Sequence, residues 1–168
     1  LQLRQGFFRY IYDKVRFLKL QDYISKVDRS IDSFHEKVME NLVFNEEKII
    51  STIQDRLYEK GLDAKGYLIG GGDYRSTTIE YKIFKGQRYD HFTLFDTGSF
   101  YAGMFVVQDG DSSLLISSQD SKTSMLEDIY GTEILNLSEK ELRYITDLAS
   151  NYTIQDFKFL NSDIDIDV

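Results

Sequence analysis

Residues 94–118 read LFDTGSFYAGMFVVQDGDSSLLISS, and the fold turns on them. Met104 to Val107 and Leu114 to Ile116 are short apolar runs on either side of Asp109-Gly110. Asp-Gly suits a tight turn with positive φ at both central positions, so the stretch predicts an antiparallel hairpin at 104–118. Just upstream, Thr97 sits where a helix cap belongs, and Gly98 tolerates crowding. The pair predicts a helix of one or two turns over Ser99–Gly103. Phe100 and Met104, four apart, then both face the core, and Asp96, Thr97 and Gly98 read as a structural corner.

Outward from the corner, the periods become helical. Ser138-Glu139-Lys140-Glu141 is a capping box, in which a serine and a glutamate satisfy each other's orphan amides. It predicts a C-terminal helix at 139–149 with Leu142, Ile145 and Leu148 on one side. Toward the N-terminus, Ile31, Phe34, Val38 and Leu42 form one stripe of an amphipathic helix starting near Asp28. Tyr10, Lys14 and Phe17 share a side of a helix from about Phe7. Asn45 is placed as an N-cap, with Glu46 and Glu47 facing the helix dipole and Ile49, Ile50, Ile53 and Leu57 as the next stripe. Lys60-Gly61 is a basic, left-handed stop. Residues 61–75 hold five of the eleven glycines and read as a loop. In 76–86, Ile79, Tyr81 and Ile83 alternate with polar residues, which favours a strand; the competing reading is a short helix capped by Ser76 and ended by Gly86. The expected fold is α+β: N-terminal helices, an antiparallel β-sheet with the hairpin at 104–118, and the C-terminal helix. A basic aromatic arm (1–27), one α+β domain (28–160) and an acidic tail (161–168) divide the chain.

The 168 residues are 42% hydrophobic and include 12 Tyr and 12 Phe, the composition of a folded domain. There is no cysteine and only two histidines, which removes disulfides, thiolate chemistry and multi-histidine metal cages. No apolar run is long enough for a membrane span, and no membrane partner is expected. The net charge of −8 argues against a general nucleic-acid binder. Residues 1–20 set Arg4, Arg9, Lys14, Arg16 and Lys19 against Asp13, a net +4 that leaves −12 for the rest. This asymmetry favours contact with an acidic protein surface. The basic residues and Asp163, Asp165 and Asp167 of the tail are candidate intersubunit contacts, suited to copies joining head to tail in a ring.

Leu94-Phe95-Asp96-Thr97-Gly98-Ser99 also looks like the signature of an aspartic protease. That chemistry needs two aspartates sharing a proton. With one Asp-Thr-Gly in the chain, only a homodimer using Asp96 could supply them. Gly70-Gly71-Gly72-Asp73 lacks the Gly-Lys-Ser/Thr end of a phosphate loop. His35 and His91 have no nearby cluster of acids at ligand spacing, and Asp109-Gly110-Asp111 lacks the ligand series of a calcium loop. No catalytic, cofactor-binding or metal-binding residue is assigned, and the chain is not expected to be an enzyme.

Leu94-x-Asp96-Thr97-Gly98-x-Phe100-x-x-Gly103-Met104 resembles a segment of tailed-phage neck, tail-completion and head–tail connector proteins (minor capsid proteins) that reads Asp-Thr-Gly-x-Leu-x-x-Ser-Ile. Phe100, Gly103 and Met104 stand at its Leu, Ser and Ile positions. Ile129-Tyr130-Gly131-Thr132 is similar to the family's aromatic-plus-Gly-Thr element, and Ile134 through Leu142 to its lead into the last helix. A Gly-Leu-Asp-x-x-Gly stretch at 61–66 and Lys-Gly-Gln at 85–87 resemble chains of gut-bacterial phages with AT-rich genomes, and three alanines and no proline suit such codons. The resemblance implies a virion structural protein without turnover. It would form a homo-oligomeric ring that joins portal and tail, with itself, the portal and adjacent neck or tail proteins as partners, and with nucleic acid only as packaged DNA passing through. The competing readings are the homodimeric protease and a monomeric binding domain.

Overall fold

A computed structural model describes residues 2–161, with side chains described for 20–22 and 24–154. The fold is mostly helical α+β: helices α1 (Gln2–Phe44), α2 (Glu46–Asp55), α3 (Ser76–Phe84) and α4 (Ser99–Ala102), strands β1 (Met104–Gln108) and β2 (Leu114–Ser118), then α5 (Thr123–Tyr130) and α6 (Glu139–Asn161). Two compact units divide it, Leu1–Val38 and Met39–Val168. The first is the length of α1 that runs unbroken across the expected boundary at 27/28. Among its described residues, 20–36 are all exposed. Arg4, Arg9, Lys14, Arg16 and Lys19 fall on α1, but their side chains lie outside the described residues, as do Asp163, Asp165 and Asp167 entirely.

The second unit holds the core. Ile49, Ile53 and Leu57 recur at i, i+4 and i+8, along α2 and the π-turn Arg56–Lys60 that continues it, and are fully buried. They join Phe100, Tyr101, Met104 and Val106 from the hairpin side and Ile134, Leu135 and Ile145 from the C-terminal side. Asn45 is the residue before α2, yet its amide Nδ2 donates back to Asn41 O at 2.7 Å and caps nothing. Glu46 instead accepts from Val106 N at 2.9 Å, so a side chain of α2 satisfies the outer edge of β1.

The hairpin forms where the sequence places it, with Met104 opposite Ser118 and Gln108 opposite Leu114. Its turn differs from the expected one. Asp109 N donates to Ser113 O at 2.8 Å, the Ser113 hydroxyl donates to Asp109 O, and Gly110 has φ +79°. Asp109 therefore closes a three-residue loop, 110–112, and does not occupy a central position of a two-residue turn. The hairpin is the entire sheet among the described residues.

Two further expectations are corrected. Segment 76–86 is helical, not a strand. Thr78 N and Ile79 N donate to Arg75 O, so the helix starts on arginine's carbonyl rather than a serine cap, and Gly86 ends it at φ +65°. The alternation misleads because Tyr81 and Ile83 point outward, while Lys82 is buried. The C-terminal helix runs past 149 to Asn161, and its inner face is Ile145, Ala149 and Thr153, with Leu142 exposed. Asn41 Nδ2 donates to Thr153 Oγ1 at 3.1 Å, tying the last turns of α1 to α6. The stretch 61–75 is an ordered loop. Asp63 Oδ1 accepts from Lys65 N and Tyr67 N at 2.9 Å each, Leu62 bridges Leu68, and a 3-10 turn covers Ile69–Gly71.

Candidate functional site

The corner at 93–98 is built on Thr93, which has no exposed surface. Its hydroxyl oxygen accepts from Phe95 N at 3.2 Å and from Lys82 Nζ at 3.4 Å, while its N–H donates to Tyr74 Oη at 3.0 Å. The Tyr101 hydroxyl donates to Thr93 O. Burial pushes the Tyr101 phenol far above its usual range, so it remains a donor. Beyond Thr93 the backbone takes φ +54° at Leu94, a left-handed conformation that a leucine rarely adopts. Gly98, at φ +87°, and not the expected Thr97, is the N-cap of α4; Thr97 sits one residue earlier, where its Oγ1 accepts from Ser99 N at 3.3 Å. Phe100 on α4 and Met104 at the start of β1 are both buried, but the helix ends at Ala102, so their shared burial comes from the turn into the strand and not from helical spacing. The six motif residues, Leu94, Asp96, Thr97, Gly98, Phe100 and Met104, thus come together as one bend feeding a short helix and the hairpin.

Helix α3 clamps this bend. Lys82 Nζ donates to Phe95 O at 2.7 Å and lies 4.8 Å from the centre of the Tyr74 ring. Lys85 Nζ donates to Asp96 Oδ1 at 2.8 Å, and Gln87 Nε2 donates to Asp96 O. The Lys85 ammonium beside Asp96 holds its carboxyl below the usual carboxylate range, although the side chain is 53% exposed. Asp96 is therefore an ionised, solvent-facing carboxylate with a cationic partner. This is unlike a carboxyl that shares a proton with a second one.

Between α3, the corner and α5 lies a cleft of about 350 Å³. Tyr74, Phe92, Phe100, Leu126 and Tyr130 form apolar walls, and Lys82 and Gln87 supply polar atoms. Tyr74 and Phe92 stack at 4.3 Å between ring centres. Gln87 Oε1 is buried with no hydrogen-bond partner. Lys82 in its wall ends on Phe95 O and Thr93 Oγ1, and Lys85 beside it ends on Asp96, so these two cations hold the backbone of the corner.

The other candidates are structural or separate. His91 is buried, with Nε2 2.9 Å from Tyr58 O and Nδ1 3.2 Å from Asp90. It packs on Gly61 so closely that an added Cβ there would lie 2.4 Å from its ring, which is why the stop at 61 is glycine. His35 is exposed on α1. Gly70-Gly71-Gly72 forms the 3-10 turn and its exit, and Asp109 and Asp111 lie in the exposed hairpin loop. Among the described residues no group of three or more metal-ligating side chains converges, and no helix is long and apolar enough to cross a membrane.

Sequence reasoning missed Thr93, Tyr74, Tyr101 and Lys82. Nothing local marks a threonine as a hub, and a lysine on an alternating segment reads as solvent-facing. The sequence signal for Lys82 and Lys85 is their i, i+3 spacing, which shares a face only on a helix. Set against protein-family models, curated proteins and solved structures, the chain matches none of them.

Proposed function

We propose that this chain is a structural protein of the tailed-phage neck or head–tail connector, acting without turnover by assembling into a ring that joins portal and tail. The observation that carries the reading is the order of elements around the corner. A Thr-Gly bend starts short helix α4, Gly103 leads directly into the hairpin, Tyr130-Gly131-Thr132 closes α5, and a capping box opens the last helix. That is the sequence of parts the resemblance implies, and the corner is built for shape: its polar atoms hold the backbone. The ring contacts would use charge, with the basic segment 1–20 meeting the acidic surface of a neighbour and the tail 161–168 contributing.

Cross-linking of purified particles tests the reading. The chain is expected in the virion, cross-linked to the portal and to other copies of itself. Particles that lack it, or a chain that is monomeric with portal present, overturn the proposal. Asp96→Asn separates it from a dimeric protease: the ring assembles as before, whereas loss of a peptide-cleaving activity with this substitution would identify an enzyme.

A further inference from the structure

Helix α1 carries Leu20, Ile24, Val27 and Ile31 at i, i+4, i+7 and i+11, the alternating fours and threes of a coiled-coil seam. All four are exposed, by 39 to 60%. Every described residue from 20 to 36 is on the surface. Together the four form a continuous apolar strip of a few hundred Å², the size at which exposed patches mark contact sites.

The chemistry of the strip and of its flanks selects a second copy, running the opposite way. Laid antiparallel, Leu20 of each copy meets Ile31 of the other, and Ile24 meets Val27. The four residues thereby close on themselves as four apolar layers around a two-fold axis, with no polar side chain in the seam. Charge fixes the direction. Residues 1–20 carry net +4, whereas 21–44 set Asp22, Asp28, Asp32, Glu36 and Glu40 against Lys26, Arg29 and Lys37, net −2. An antiparallel pair brings Arg16 and Lys19 to the level of Asp32 and Glu36 of the second copy. A parallel, in-register pair would stack the two +4 segments side by side.

We infer that α1 pairs antiparallel with α1 of a second copy through Leu20, Ile24, Val27 and Ile31. The strip falls short of the ~800 Å² per partner of a standard interface, so the dimer is weak and concentration-dependent. Part of its strength is electrostatic, so it loosens as salt shortens the Debye length. The contact is isologous, whereas a ring needs a heterologous one, so the inference does not rest on the neck reading.

The absence of cysteine makes the full chain a clean reporter. Leu20→Cys and Ile31→Cys are made separately and oxidised under mild conditions, alone and mixed. The mixture is expected to form disulfide dimers about tenfold faster than either variant alone, following the Cβ approach a disulfide requires. Leu20→Cys linking to itself as fast as the mixture would mean a parallel pair and overturn the inference, as would no linkage in any sample. Sedimentation equilibrium supplies the second readout. Ile24→Asp, on an exposed face, is expected to leave the circular dichroism unchanged and shift the chain to monomer, and raised salt is expected to weaken the unmodified dimer. A chain that is monomeric into the high micromolar range, or a dimer indifferent to Ile24→Asp, sinks the proposal.

Discussion

Thr93 shows how much of this structure hangs on single polar atoms. Its hydroxyl and main chain are bonded to Phe95, Lys82, Tyr74 and Tyr101, all at a fully buried position. Thr93→Val preserves shape but leaves Phe95 N without its partner and Lys82 short of one acceptor. Urea unfolding is expected to show a loss of about 1–3 kcal/mol, the cost of leaving buried donors unsatisfied. Asp96 makes a smaller, pH-dependent contribution. Its folded-state pKa lies below that of the unfolded chain because Lys85 stabilises the carboxylate. The stabilisation is therefore present above the unfolded value of about 3.9 and is lost as pH falls through the lower folded value. Thermal melts of the unmodified chain and Asp96→Asn should differ slightly at neutral pH and converge in acid; a gap that widens in acid would contradict the ion pair. Gly61 is a third case. With φ +61° and the His91 ring against its α-carbon, Gly61→Ala is expected to destabilise by about 1–3 kcal/mol in the same urea assay, through backbone strain and overlap together.

At the scale of elements, the C-terminal helix is held by one glutamate with two duties. Glu141 Oε2 accepts from Ser138 N at 2.7 Å and Glu141 N donates to Ser138 Oγ at 3.3 Å, the capping box read from the sequence. Glu141 Oε1 also accepts from Arg56 Nε at 3.1 Å. Arg56 is 6% exposed, and its other nitrogens donate to Leu62 O and Asn136 O. Glu141→Ala removes the cap and strands a buried guanidinium, so a loss of about 3–5 kcal/mol is expected from chemical denaturation. Ser138→Ala removes only half of the box and should cost about 1 kcal/mol; equal losses would mean that the buried pair contributes nothing. The capping box was legible because it is local, four residues whose partners are each other. The bond to Arg56 was not, because 85 residues separate the two side chains. Helix α3 was misread for a related reason. Period-two alternation signals a strand only if the apolar side is the buried one, and here the buried side is set by Lys82 reaching Phe95 O and Thr93.

At the scale of the whole molecule, the division at Val38/Met39 leaves every buried residue among those described in the second unit. A chain beginning at Met39 is therefore expected to unfold cooperatively, with a thermal midpoint within a few degrees of the full chain's. Loss of cooperativity would show that the first unit helps to stabilise the core. The sequence by itself determined the class of fold, the hairpin, the bend at Asp96-Thr97-Gly98 and the start of the last helix. Each of these is specified by neighbours a few residues apart, through caps, glycines and short apolar runs. Only the tertiary structure decided that 76–86 is a helix, that Asp96 faces solvent beside Lys85, that Thr93 anchors the bend, and that a strip of α1 is uncovered. Those outcomes depend on which distant atoms approach which, and burial is a property of the folded surface that no short stretch of chain encodes alone.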